Sequence, residues 1–260
     1  MRKVAAVVSV AIAAAACGQA PHRLDTHTSE KPVTDLTPRV VAGPVDPDPR
    51  VGAIFLGGGD LHTCTGSVLQ AVGSDFMLTA AHCLSGDVKS TTFVPGFAEN
   101  AAPGDVWTVD TIYFDPRWLA GKDPHADYAI ARLTRPDGGP VEQHLGSGLS
   151  LGAAPAPGSR ISVMGYPAGV GGTPIGCQAN TEMTDGYPSL PCSGLVDGTS
   201  GAPWISGSTV TGLIGGLDGG GCEEKVSYSA PLDEHIAQLL ARAQAGGPGD
   251  TAPSATDTGC

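Results

Sequence analysis

Basic residues are scarce in this chain of 260 residues: 14 Lys and Arg stand against 26 Asp and Glu, a net charge of −12. Nowhere do the lysines and arginines cluster as they must to displace counterions from a phosphate backbone, so nucleic acid is not expected as a partner. Close pairs of metal-ligating residues are missing too. None of the 7 cysteines forms a Cys-x-x-Cys unit, and without that spacing no metal or other cofactor is expected. Long apolar runs are absent. The stretch Val4 to Ala16, behind Met1-Arg2-Lys3, is too short to span a bilayer and reads as a secretory signal. Helical periodicity is nearly absent before Pro231, which excludes a helical bundle.

What remains is abundant glycine, turn residues at short intervals and short runs of valine and threonine, the composition of an all-β domain. Residues 1–17 form the signal, ending in Ala14-Ala15-Ala16-Cys17-Gly18. This resembles a bacterial lipoprotein box with Ala14 in place of the usual leucine. Two outcomes stand open: a lipid on Cys17 that attaches the protein to a membrane, or cleavage after Ala-x-Ala and release. Both place it outside the cytoplasm. Residues 18–49 are polar and punctuated by proline, and read as a disordered linker or propeptide. Residues 231–243 hold a helix, with Asp233 and Glu234 in its first turn, Arg242 in its last, and Ile236, Leu239 and Leu240 on one face. Residues 244–260 read as a disordered tail, dispensable for catalysis.

Three stretches carry chemistry. In Gly198-Thr199-Ser200-Gly201 a serine lies between small residues, so its hydroxyl can be exposed on a tight turn. The amides of Gly198 and Ser200 can then converge where charge would develop on an attacked carbonyl. In Phe76-Met77-Leu78-Thr79-Ala80-Ala81-His82-Cys83 an apolar strand leads straight into a histidine, which fixes the base rigidly. Asp127 opens a third stretch, Asp127 to Leu133, with the alternation of a half-buried strand. Asp123 and His125 lie close by as rival acid and base.

Taken in order, Thr79-Ala80-Ala81-His82-Cys83, Asp127-Tyr128-Ala129-Ile130 and Gly198-Thr199-Ser200-Gly201-Ala202-Pro203-Trp204 resemble the signatures of the chymotrypsin-like (trypsin-like) serine proteases, in particular their secreted bacterial branch. The resemblance covers about residues 50–232. It implies an all-β fold of two packed six-stranded antiparallel barrels, 50–145 and 146–230, with the active site in the cleft between them and a C-terminal helix, together a protease domain over 50–243. Strands are expected near 51–56, 64–70, 76–79, 91–97, 105–114 and 127–133 in the first barrel. In the second they are expected near 143–146, 160–166, 173–178, 190–193, 202–206, 209–217 and 226–230, one too many for six.

The resemblance further implies a monomeric serine endopeptidase acting on protein or peptide, with His82, Asp127 and Ser200 catalytic and Gly198 and Ser200 forming the oxyanion hole. It implies disulfides Cys64–Cys83 and Cys177–Cys192, with Cys192–Cys222 competing, and leaves the pairing of Cys222 and Cys260 open. By the same comparison the specificity pocket has its floor near Gly194 and walls at Gly215, Gly216 and Leu217 and at Val226, Ser227 and Tyr228. No acid stands at that floor and residues 205–230 hold no histidine, so an uncharged pocket for apolar or mid-sized side chains is expected. Three departures stand out. Thr199 and Ala202 replace an aspartate and a glycine, and Gly215 replaces a serine that supports the catalytic aspartate. Thr199 cannot pair with a freed N-terminus, so the Arg39-Val40-Val41-Ala42-Gly43 stretch is not expected to act as an activation site. A non-catalytic binding module and an esterase are the other readings, although the elbow Gly-x-Ser-x-Gly is broken by Ala202.

Overall fold

A computed structural model of the chain describes residues 40–86, 90–136, 138–221 and 225–254. The signal, Cys17, Cys222 and Cys260 lie outside the described residues. Two short strands open the chain, β1 (Val40–Val41) and β2 (Gly43–Pro44). Six follow: β3 (Val51–Phe55), β4 (Leu61–Val68), β5 (Phe76–Thr79), β6 (Thr92–Pro95), β7 (Trp107–Phe114) and β8 (Ala129–Thr134). They pair in the order β4-β3-β6-β7-β8-β5, and β5 pairs back onto β4. The ladder therefore closes into a barrel without a free edge. Alternation builds its inside: Trp107 and Val109 of β7 are buried while Thr108 and Asp110 are exposed. Ile54, Val68, Leu78, Phe93, Tyr113 and Ile130 fill the core.

The second half is built from β9 (Ser150–Leu151), β10 (Arg160–Gly165), β11 (Gly169–Val170), β12 (Ile175–Asn180), β13 (Glu182–Thr184), β14 (Tyr187–Leu190), β15 (Cys192–Ser193), β16 (Pro203–Ser206), β17 (Thr209–Leu213) and β18 (Ser227–Tyr228). Its main sheet runs β2-β12-β10-β16-β17-β9, beside a three-stranded sheet β13-β14-β18 and the parallel pair β1-β15. Among the described residues no pairing joins the end strands β2 and β9 of this six-stranded ladder. These sheets surround a core of Ile161, Val163, Leu190, Leu195, Trp204 and Ile214. Strand β11 leaves the set altogether and pairs with β4 of the first barrel.

Three expectations change. Strands lie inside the stretch expected as linker over 18–49, because β1 and β2 supply pairing partners to β15 and β12. The strand expected at 143–146 lies in a helix. Helices α1 (Pro116–Gly121) and α2 (Val141–Leu145) are short, and α2 stops at Gly146, whose φ of 78° is left-handed. Residues of the expected disordered tail after 244 are also bonded to the first barrel. Asp250 donates its amide to Ile112 O (2.8 Å), its carboxylate accepts from the Phe114 amide (2.7 Å) and Arg242 Nη1 (3.2 Å), and Gly86 donates to Pro253 O (2.8 Å). Low apolar content concealed this attachment, which is made by main-chain and charged groups.

The helix expected over 231–243 is α3 (Glu234–Gln244), capped by Asp233 accepting from the His235 amide at 2.9 Å. Ile236 and Leu239 are buried in the first barrel's core, joined by Ala243, whereas Leu240 is only half-buried. The chain ends are thus exchanged: its N-terminal strands complete the second half and its C-terminal helix covers the first. Among the described residues no helix is long and apolar enough to cross a membrane.

Candidate active site

Strand β5 is buried along its whole length and runs through Ala80 into a 3-10 turn, Ala81–Leu84, that carries His82. A disulfide between Cys64 and Cys83 ties this turn to β4. Asp127 follows another 3-10 turn, Pro124–Ala126, and precedes β8. Its carboxylate is 1% exposed and has three donors. His82 Nδ1 lies 2.8 Å from Oδ2, the Gly216 amide donates to Oδ2 at 2.8 Å, and the His82 amide donates to Oδ1 at 3.0 Å. The Gly216 amide supplies support from the segment where a serine was expected at Gly215. An ionised carboxylate only accepts, so the proton sits on Nδ1 and leaves a lone pair on Nε2. The rival Asp123 instead accepts from the His125 amide and ring, at the surface.

Burial opposes charge on both members of this pair. On His82 the Asp127 carboxylate outweighs burial, by its charge and its hydrogen bond, and raises the imidazole's pKa. On Asp127 the same contact, with the amides of Gly216 and His82, outweighs burial and lowers the carboxyl's pKa. These are two views of one interaction.

Ser200 lies across the cleft on the loop between β15 and β16. His82 and Ser200 line one cavity of about 670 Å³. No hydrogen bond joins their side chains, and such contacts often tighten only when substrate is bound. The loop is held by its own turns: the Thr199 amide and hydroxyl donate to Val196 O at 3.0 and 2.7 Å, and the Ala202 amide to Thr199 O at 2.9 Å. Thr199 is thereby satisfied without an ionic partner. Gly198 and Gly201 have φ of 92° and 81°. A Cβ on Gly201 would lie 2.2 Å from Thr65 O, so only glycine lets the loop approach the first barrel this closely. The amides of Gly198 and Ser200 donate to no acceptor among the described residues.

Gly194, Gly215, Gly216 and Leu217 do not line the cavity; Leu195, Val196, Ile214 and Asp218 to Gly221 do, with Pro167 and Ala168 opposite. Gly194 instead faces the β1 side, 3.8 Å from Val41 at its Cβ position. The Gly215 amide bonds to Tyr228 O, and Gly216 backs Asp127. Asp197 and Asp218 also line this cavity, and among the described residues no lysine or arginine does. Pro167, Ala168, Asp197 and Asp218 carry no sequence signature, since only the folding of distant loops assembles them.

The second disulfide joins Cys177 of β12 to Cys192 of β15, which removes the competing Cys192–Cys222 pair. Cys64, Cys83 and His82 group their ligand atoms within 4.8 Å of one another. The two sulfurs are bonded to each other and so are not thiolates for a metal.

No curated protein sequence matches this chain significantly. Among solved structures, the protease Anisep from Arthrobacter nicotinovorans is similar at 25% identity and a TM-score of 0.67, over 79% of this chain and 100% of its own. A thermostable serine protease, AL20, from an extremophilic microorganism is similar at 21% identity and a TM-score of 0.65, over 76% and 98%. A Glu endopeptidase is similar at 15% identity and a TM-score of 0.62, over 79% and 97%. The last two show the fold alone. The family model of the trypsin-like peptidase domain matches residues 64–215, more than half of the chain, and the chain, with its closed barrel and its His82–Asp127 pair, belongs to that family.

Proposed function

We propose that the chain is an exported serine endopeptidase with Ser200 as nucleophile, His82 as general base and Asp127 as the group that orients the imidazole. One observation carries this reading: His82, bonded to the buried Asp127, lines the same cavity as Ser200, whose own amide and that of Gly198 donate to no acceptor among the described residues. A serine hydroxyl is a weak nucleophile at neutral pH, so Nε2 takes its proton as Oγ attacks the carbonyl carbon. The C–O bond forms, the carbonyl π electrons move to oxygen, and the Gly198 and Ser200 amides receive that charge. Collapse expels the amine, which takes the proton from Nε2. Water, activated by the same nitrogen, then hydrolyses the acyl-enzyme on Ser200.

Two disulfides favour an oxidising compartment, consistent with export. Attachment through a lipid on Cys17 is the finer proposal, and the intact mass of the mature protein tests it. The carboxylate of Asp197 makes the cleft unfavourable to acidic side chains. A peptide series should therefore show Asp and Glu next to the cleaved bond as the poorest substrates. The function is tested by an active-site phosphonate, expected to label Ser200 stoichiometrically and to abolish peptide hydrolysis. A fully folded protein that is neither labelled nor active overturns it.

A further inference from the structure

One buried residue of the first barrel bonds to the nucleophile loop at two places. Thr65, on β4 and 0% exposed, donates its amide to Ser200 O at 2.8 Å. Its hydroxyl lies 2.9 Å from Gly198 O and 2.8 Å from the Tyr166 amide. The direction of these bonds follows from chemistry. A carbonyl only accepts and an amide N–H only donates, so the single hydroxyl proton goes to Gly198 O and the oxygen's lone pair accepts from Tyr166. The Thr65 carbonyl is itself fixed by the Thr79 hydroxyl at 2.8 Å. Every polar group of Thr65 is engaged.

Gly198 is where such fixing matters. It has φ of 92°, and a glycine's flanking peptide planes turn easily. The plane before it carries the Gly198 N–H, and its carbonyl, Asp197 O, accepts from the Ala168 amide at 2.7 Å. The plane after it carries Gly198 O, and that carbonyl accepts from Thr65. Gly198 is thus clamped on both sides, by Ala168 and by the threonine hydroxyl. The chain Tyr166 N–H to Thr65 O–H to Gly198 C=O polarises along its length. The residue before Thr65 is Cys64, whose disulfide fixes the turn bearing His82. Two neighbouring residues therefore hold the base through sulfur and the oxyanion donors through a hydroxyl.

We propose that Thr65 is a positioning residue for the reaction, its hydroxyl fixing the peptide planes around Gly198 so that the Gly198 amide points at the developing oxyanion. This rests on the protease reading above. The test compares Thr65→Val, which keeps the shape and loses the hydroxyl, with Thr65→Ser, which keeps the hydroxyl, in the full chain. For Thr65→Val, kcat should fall about 30-fold, short of the roughly 10²–10³ lost with a whole oxyanion donor. KM should stay within about twofold and the acid limb of the pH profile should not move, since His82 and Asp127 are untouched. Affinity for a peptide boronic acid, whose adduct on Ser200 is tetrahedral, should fall in parallel with kcat/KM. Thr65→Ser should restore kcat to within about threefold of the parent.

If Thr65→Val does not fold, Thr65→Ala against Thr65→Ser gives the same reading, Ala losing what Ser keeps. The proposal is overturned if the hydroxyl-free variant keeps kcat within twofold. It is overturned equally if Ser fails to rescue, or if the loss appears in KM. A parent protein that takes up no phosphonate overturns the protease reading, and this one with it. Normal labelling of the parent beside an unimpaired Thr65→Val overturns only the role of Thr65.

Discussion

The two halves of the molecule hold their chemical groups by different means. In the first, a closed barrel fixes His82 and Asp127 through strands buried on both flanks, and the pair is bonded within that half apart from the Gly216 amide. In the second, short sheets leave the loop from Val196 to Gly201 without a strand of its own. Turn bonds and contacts from Thr65, Tyr166 and Ala168 fix it. A base can be held by the strand it follows. An oxyanion hole needs two amides aimed at one point, and in the proposed one that aim is shared between halves.

The comparison breaks most completely at the nucleophile. Ser200→Ala should lower kcat by about 10⁵-fold or more while leaving thermal unfolding unchanged, since the loop's bonds are made by main chain and Thr199. Activity near the parent level in a folded Ser200→Ala would remove the second half from the chemistry. Next comes Asp127→Asn, expected to cost about 10⁴-fold in kcat, because an amide can donate to Nδ1 and put the proton on the wrong nitrogen. Its cost should stay in kcat with little change in KM. A loss confined to KM would mean that Asp127 shapes the cleft instead of the base.

The disulfides sharpen the contrast. Cys64–Cys83 and Cys177–Cys192 span similar separations of 19 and 15 residues, so each should stabilise by about 3 kcal/mol through the unfolded chain. Only the first touches the turn bearing His82. Replacing Cys64 and Cys83 with Ala should lower both melting temperature and kcat; replacing Cys177 and Cys192 should lower melting temperature alone. Equal kcat losses from the two pairs would show that the halves are not mechanically distinct. A smaller effect is expected from Asp250→Ala, about 1–2 kcal/mol of stability, because the Phe114 amide loses its acceptor and Arg242 its partner. An unchanged melting temperature would mean that these contacts do not anchor the residues after 244.

What the sequence made legible follows the same division. Groups that stand next to a strand in the chain were readable: Thr79-Ala80-Ala81-His82-Cys83 announces itself locally, as does Gly198-Thr199-Ser200-Gly201. Groups brought together by distant segments were not. Nothing near Thr65 in the chain indicates that it meets Gly198, and the cavity wall from Asp218 to Gly221 depends on how the chain after Ile214 turns behind Asp127. The segment Val40 to Pro44 looked like linker because it has too few apolar residues to make a core, yet it contributes pairing to sheets built elsewhere. Helix α2 was mistaken for a strand over 143–146, although Pro140 before it and Gly146 after it bracket a helix.

The finest distinction lies in pH. The ring of His82 is held above the usual imidazole value of about 6.5, because Asp127 outweighs burial. General-base catalysis uses the neutral ring, so kcat/KM should rise with pH through a value above that figure. Stability runs the other way: the contribution of His82 is complete below its unfolded value and is lost as pH rises through the folded one. The carboxyl of Asp127 is lowered, so its contribution is present above its unfolded value and is lost as acid takes pH below that toward the folded one. As pH rises from the unfolded to the folded value of His82, activity should rise while the pair's own contribution to stability falls. In Asp127→Asn the residual rate should show an acid limb at lower pH, the ring having lost its anion while staying buried. A limb that stays where the parent's is would mean that something other than Asp127 holds the charge on His82.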